Sequence, residues 1–386
     1  MQDCMRERTR YLLAGSLIDG SGAQARRNVC LAVRAGVIAA VELCAETAVE
    51  ERPAVEDFSH CTLVPPLVDC SVALSRSGAI SPGTARTGVR SDGDEVAVMV
   101  ARHIRDCHVH GVLGVADSSN GAGRDREGDA GELVAIRRSG RDFLRIEYSP
   151  GIGDSEETSS GFGPDSLQRI LRAGKGKKTV VVANGPDDVA EALAAGCDAI
   201  EQGYGMGEEN LRIMAEKGIL WIPSVVRAKN GLDGAASGGE VCCRFSTRYV
   251  APGGSAPGAE AHWRKLLADQ LALLQRAREL GVMTAVGTGA GSPGLLHGES
   301  VAEEIKLFMR AGYTLEEALC CASENGARFF GMDGLGMLAP GRRATFLITR
   351  GSPGQLPRKL SYLEGIYVNG APSPAYSKHP VRRGQA

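Results

Sequence analysis

His108 and His110, in the tripeptide HVH, have the spacing of a metal-binding pair, and His297 sits alone in a glycine-rich loop where an imidazole could trade protons. Asp69 and Glu201 fall at the ends of apolar runs, as do the polar residues Asp117, Asn184, Tyr204, Ser224 and Thr288. The chemistry open to such a set is acid-base catalysis or orientation of a small molecule. His297 is the best acid-base candidate. Asp69 and Glu201 are weaker ones, since buried carboxylates usually satisfy neighbouring donors. The HVH pair precedes the strand that begins at Gly111, and in a parallel α/β ring the chemistry gathers at the opposite strand ends. Those two histidines are therefore expected to be solvated or to cap a helix.

The elements that must position these groups follow a rhythm. GVLGVAD (111–117), FLRIEYS (143–149), TVVVAN (179–184), AIEQG (199–203), ILWIPS (219–224) and VMTAVGT (282–288) are strand-like runs separated by helical patterns, which implies parallel strands with crossover helices. With TLVPPLVDCSVAL (62–74) in front, the count is seven where a closed (β/α)₈ barrel needs eight. The gap lies between Asp117 and Arg141, where one helix, about Gly128 to Arg138, fits. The missing strand is either very short or lost.

Residues 228–261 are rich in Gly, Ala and Ser and are expected to form a long loop, either a lid or a plain insertion. AHWRKLLADQLALLQRAREL and ESVAEEIKLFMRAG flank the last strand as helices. Both chain ends read as short β-runs, among them NVCLAVRAGVIAAVEL with Ala35-Gly36 as its turn.

Composition narrows the function classes. The balance of 44 basic against 46 acidic residues, with no long run of either sign, excludes nucleic acid and anionic membranes as partners and points to a small neutral one. The charged opening MQDCMRERTR and the lack of a long apolar run predict a cytoplasmic protein. The 11 cysteines contain no CxxC pair and fit reduced core thiols.

On these segments the chain resembles the amidohydrolase superfamily, especially its imidazolonepropionase-like and prolidase-like branch. LVPPLVDCSVAL is similar to the strand that usually ends in His-x-His. VVVANGPDDVAEALAAGCDAIEQGYGMGEENL is similar to the fifth and sixth strands, GVMTAVGTGAGSPGLLHGESVAEEI to the eighth, and GMLAPGRRATFLI to the return into a terminal β-unit. The resemblance implies an α/β fold. Its parts are a distorted TIM-like (β/α)7-8 barrel over 62–335 and a small composite β-sandwich from 1–61 and 336–386. It also implies zinc or another divalent metal and hydrolysis of C–N bonds.

The departures fall on the metal ligands. The resemblance sets Ser71 and Ala73 at the paired histidines, Arg145 at the bridging lysine, Val182 and Gln202 at the next two histidines, and Gly289 at the aspartate. Ala73, Val182 and Gly289 have no side-chain donor, and Ser71 and Gln202 are weak neutral ones. The expectation is a protein without a metal cofactor or confident catalytic residue: a pseudoenzyme that binds a small molecule or a partner. The alternative is a hydrolase of amides or cyclic amides working through a displaced metal or a metal-free acid-base pair. A third reading is a structural subunit, as a homo-oligomer or beside an active relative.

Overall fold

The computed structural model describes residues 9–43, 55–78, 93–119, 133–149, 162–236, 241–242, 247–248 and 257–376. Its strands begin with β1 (Arg10–Leu17), β2 (Arg26–Arg34), β3 (Val37–Leu43), β4 (Val55–Val64) and β5 (Leu67–Val72). Then come α1 (Gly93–Val109), β6 (Val112–Asp117), β7 (Ala135–Arg138), β8 (Phe143–Glu147), α2 (Pro164–Ala173) and β9 (Lys178–Ala183). α3 (Pro186–Ala195), β10 (Ala199–Gln202), α4 (Gly207–Lys217), β11 (Leu220–Ile222) and α5 (Val225–Ala236) continue the alternation. After the two-residue strands β12 (Val241–Cys242) and β13 (Thr247–Arg248) run α6 (Ala259–Leu280), α7 (Glu299–Arg310), α8 (Leu315–Cys321) and α9 (Glu324–Phe329). The chain closes with β14 (Phe346–Arg350), β15 (Leu363–Val368) and β16 (Ala371–Pro372).

The fold is mixed α/β. Strands β5, β6 and β7 form one parallel sheet and β8 to β11 another. Strands such as β6 (VLGVAD) and β9 (KTVVVA) are nearly continuous apolar runs, because helices cover one face and side chains fill the other, whereas β7 (AIRR) and β8 (FLRIE) carry charged residues. Parallel bridges join the sheets at Ser139 to Phe143, Trp221 to Thr284 and Val72 to Ala290. Residues 283–290 bond on one side to β11, Trp221 N–H donating to Met283 O at 2.9 Å, and on the other to β5, Cys70 N–H donating to Val286 O at 2.9 Å. That stretch is extended without being a regular strand. A Cβ on Gly287 would lie 2.3 Å from Ile222 Cγ2, so only glycine lets the backbone pass.

Both chain ends share one sheet of seven strands in the order β16, β15, β14, β4, β1, β2, β3. Its core is Leu12, Leu31, Ile38, Leu63 and Phe346. The β2–β3 hairpin turns at Ala35 and Gly36, both with positive φ (51° and 77°), which suits the twist of the flanking strands.

Two sequence expectations need correction. The helix placed over 128–138 is not there: Ala135–Arg138 is strand β7, and residues 128–132 lie outside the described residues. Its side chains are half-buried and two are arginines, so neither an apolar run nor an alternation announces it. The loop expected from 228 begins instead as helix α5. Two glycines weaken its pattern, but Glu304 of α7 accepts hydrogen bonds from Val225 N at 2.8 Å and Val226 N at 2.6 Å, anchoring its first turn. Most of the rest of that loop lies outside the described residues. Among the described residues no helix is long and apolar enough to cross a membrane.

Candidate functional site

The six residues that the sequence resemblance sets at metal-ligand positions, Ser71, Ala73, Arg145, Val182, Gln202 and Gly289, all line one cavity at the C-terminal ends of the parallel strands. Arg76, Ser118, Glu147, Ser149, Glu201, Arg227 and Ser292 complete most of the lining. Of these, sequence reasoning had singled out only Glu201. Arg227 follows ILWIPS by three residues, and a lone cation just past an apolar strand was the one signal that could have marked it.

The cavity floor is an ion pair. Arg145 Nε donates to Glu201 Oε2 at 2.6 Å and its Nη2 to Oε1 at 3.1 Å, while Ser71 Oγ donates to Oε1 at 2.7 Å. Glu201 is 2% exposed. Burial pushes its carboxyl up, but Arg145, with help from Ser71 and Arg227, outweighs burial and holds it below the ordinary range. The remaining Arg145 nitrogen, Nη1, reaches the exposed Glu147 at 2.7 Å. Arg227 Nη1 donates to Ser292 Oγ at 3.0 Å. Its side chain lies over Gly289: a Cβ there would stand 3.0 Å from Nη1, on a backbone with φ +69°. The arginine fills the space into which an aspartate at 289 would project.

Gln202 closes β10 in a left-handed conformation, φ +72°, uncommon for a residue with a side chain. Three bonds hold it there. Its carbonyl accepts from Trp221 Nε1 at 3.0 Å and Gln270 Nε2 at 2.8 Å, and its amide oxygen from Asn184 Nδ2 at 2.9 Å. Strain of roughly 1–3 kcal/mol persists only where neighbours over-determine it in this way.

The polar residues expected in the pocket stand behind its lining. Asp117 accepts from Leu74 N at 3.1 Å and from Ser119 Oγ at 2.6 Å. Asn184 ties Gln202 to Tyr204, whose hydroxyl donates to Ser224 O at 2.7 Å. Thr288 donates from N at 2.9 Å and from Oγ1 at 2.5 Å to Asp69, a fully buried carboxyl that burial raises to about 7 despite those bonds. They shape the site without reaching into it.

The histidines fare likewise. His297 is 4% exposed, stacks on His103 with centroids 3.8 Å apart, and pairs through Nε2 with Ala73 O at 3.1 Å. Burial, and then the neighbouring His103, lower it to about 3, so the ring is neutral at physiological pH and does not line the cavity. His108 is 1% exposed and bonded to Ser373 Oγ at 3.0 Å, so it is buried at the end of α1 rather than solvated. His110 Nδ1 pairs with Asp106 O at 2.8 Å.

This donor set does not fit a divalent ion. Such ions take three or more anionic or imidazole ligands, whereas the buried carboxylate here is engaged by a guanidinium and the neighbouring positions are hydroxyl, amide, methyl or bare backbone. Among the described residues no group of three or more His, Cys, Asp or Glu side chains is placed to hold a metal.

The chain has extensive relatives. An uncharacterized protein from Mycobacterium tuberculosis is 26% identical over 356 residues, covering 81% of this chain and 85% of the relative. Among solved structures, a Xaa-Pro dipeptidase with bound methionine superposes with a TM-score of 0.74 at 17% identity, over 95% of this chain and 99% of that one. Ochratoxinase from A. niger superposes with a TM-score of 0.72 at 18% identity, over 95% of both chains. At these identities the superpositions speak for the fold alone. The model of the amidohydrolase family matches residues 99–378, most of the sequence, and the chain belongs to that family.

Proposed function

We propose that this chain is a non-catalytic member of its family, a pseudoenzyme whose cavity binds a small molecule. The observation that carries this reading is the Arg145–Glu201 pair at the cavity floor. A fixed guanidinium supplies the positive charge that an ion would bring, but it cannot lower the pKa of a water from about 16 to about 7 as a metal does. Among the described residues, neither of the acid-base candidates Asp69 and His297 lines the cavity, which disfavours a metal-free acid-base alternative. Ser71, Ala73, Arg145, Val182, Gln202 and Gly289 are, on this reading, the former ligand positions.

The finer architecture belongs to the same proposal. The two parallel sheets and residues 283–290 make eight positions around a distorted (β/α)7-8 barrel, and the seven-stranded sheet is the counterpart of the family's β-sandwich. Cys70, Cys107, Cys197 and Cys321 are buried thiols, which supports a cytoplasmic location. Pairing with a second copy or an active relative would add to this function rather than replace it.

The test is metal analysis of protein purified without chelators, with an activity screen on dipeptides and cyclic amides. Well under one equivalent of zinc, iron or manganese is expected, and no turnover. Chelator or added zinc should leave the melting temperature within about 1 °C, against the roughly 2 °C or more that 1 kcal/mol of linked binding would produce. A tightly held stoichiometric metal, or turnover of either substrate class, overturns the reading.

A further inference from the structure

We infer that the protein carries a second binding site, at the N-terminal ends of its parallel strands, for a neutral aromatic ring of the size of phenol or indole. It is independent of what the cavity at the other strand ends holds. Lys178 opens β9, Asp198 precedes β10, Leu220 opens β11 and Met283 begins the extended stretch 283–290. Together with Phe329, the last residue of α9, they line a cavity of about 350 Å³. The cavity at the opposite strand ends is about 50 Å³, room on the same measure for a few waters at roughly 10–15 Å³ each. Of the two, the larger falls within the roughly 300–1,000 Å³ of small-molecule pockets.

Its floor is apolar and soft. Cys197, Ile219 and Leu220 are buried beneath it, and Met283 and Phe329 are half-buried in its wall. A thioether and an aromatic side chain both pack favourably on a guest ring. Phe329 already meets Phe330 edge-on with centroids 4.8 Å apart, and Phe330 meets Phe143 at 5.0 Å, so a guest ring would extend an existing aromatic cluster.

The rim selects an aromatic guest over an aliphatic one. Lys178, Lys217 and Arg328 are exposed there. A cation attracts the face of a ring through the ring's quadrupole and need not give up its ion pair to do so. Lys178 shows this within the fold: its Nζ donates to Asp198 Oδ1 at 3.1 Å and lies 5.4 Å from the centroid of the Phe329 ring. Arg328 Nη2 donates to Met283 Sδ at 3.4 Å, which lays its guanidinium against the wall. Asp198, the acidic side chain of the lining, is tied to β9, its Oδ2 accepting from Thr179 N and Oγ1 at 2.8 Å each. A neutral guest also agrees with the balanced charge of the chain.

The test labels the full chain with carbon-13 at its methionine methyl groups and titrates it with indole, while Met283→Leu identifies which of the nine methionine signals belongs to Met283. The expected result is a saturable shift of the Met283 signal, produced by the ring current of the guest. Phenol should produce it too. Cyclohexanol, the saturated counterpart of phenol, should bind about fivefold more weakly or worse, because it offers no π face to the cations. Arg328→Gln and Lys217→Gln change exposed side chains, keep the fold intact and should each weaken indole severalfold. No saturable shift at Met283, a shift confined to other methionines, equal binding of phenol and cyclohexanol, or indole binding unchanged in both variants overturns the inference. Each of these failures leaves a metal-free, inactive protein intact as a reading, whereas stoichiometric metal or turnover brings down that reading instead.

Discussion

Replacing Arg145 with alanine is expected to lower the free energy of unfolding by about 3–5 kcal/mol, the range seen when one partner of a buried ion pair is removed. The Arg145 side chain is 15% exposed and that of Glu201 2%, so water does little to screen either charge. With the guanidinium gone, Glu201 keeps the Ser71 hydroxyl but loses both charged donors of Arg145. Burial, now opposed only by the Ser71 hydrogen bond and then by Arg227, would drive its carboxyl upward.

The sign of the pH effect follows. In the native chain the folded Glu201 titrates below its ordinary value, so its contribution is present above about pH 4.5 and is lost as pH falls through the folded value. The gap between native and R145A protein should therefore narrow in acid. Adding Glu201→Gln to R145A removes the stranded charge and should recover part of the loss. Urea unfolding of the two single variants and the double variant at pH 7.5 and pH 4 measures the coupling. A loss under 1 kcal/mol at pH 7.5 would show that the pair is solvated.

The melting temperature is expected to fall as pH rises from about 5 to 8.5, by on the order of 10 °C. Burial holds Asp69 at about 7 and Glu304 at about 8, both above their ordinary values. A group whose folded pKa is raised stabilises fully below its unfolded pKa, and that stability drains away as pH passes through the folded value. At 1.36 kcal/mol per unit, the rise of Asp69 from 3.8 to about 7 alone corresponds to roughly 4 kcal/mol.

His297, lowered to about 3, works the other way: its contribution is complete above about pH 6.5 and wanes as pH falls toward the folded value. It offsets one of the two acids between pH 5 and 6.5, and Asp69 has lost most of its share by about pH 7.5, so the decline should be steepest between about 6 and 7. Asp69→Asn removes one titrating group and should flatten the curve, although the variant starts from a lower midpoint because one donor to residue 69 loses its acceptor. A curve that rises or stays level over this range would show both carboxyls ionised in the folded protein.

How far the sequence reached depended on whether a feature was local. Strands β6 and β9 were legible because a strand buried on both faces must be a run of apolar residues, β8 and β10 through their place in the alternation with helices, and the β2–β3 turn because Ala35-Gly36 meets the demand for positive φ. Strand β7 was not, since four half-buried residues with two arginines carry no period. The cavity lining was legible at six positions through family resemblance, which encodes spatial convergence that spacing alone does not. Arg76 and Glu147 escaped because nothing local marks them, and Arg227 because its one mark is a cation just past an apolar strand; only the fold brings them to Arg145 and Glu201. Asp117 and Thr288, expected in the pocket, stand behind the lining because a polar residue at a strand end satisfies neighbouring donors and acceptors as readily as it faces a ligand, as Asp69 was expected to do.

The seven-stranded sheet sets an order on the birth of the molecule. Strand β4 lies between β1 and β14, and Leu347 pairs with Val64, so one edge of β4 has no partner until nearly the whole chain has left the ribosome. At roughly 5–20 residues per second that wait lasts tens of seconds. During it the nascent N-terminal strands expose a row of unpaired N–H and C=O groups, the template on which strands of other chains add. The parallel strands between them can begin to collapse meanwhile, but the last stitch comes from the C-terminus. A stalled or truncated transcript would thus leave a sticky half-sheet, a substrate for chaperones and proteases.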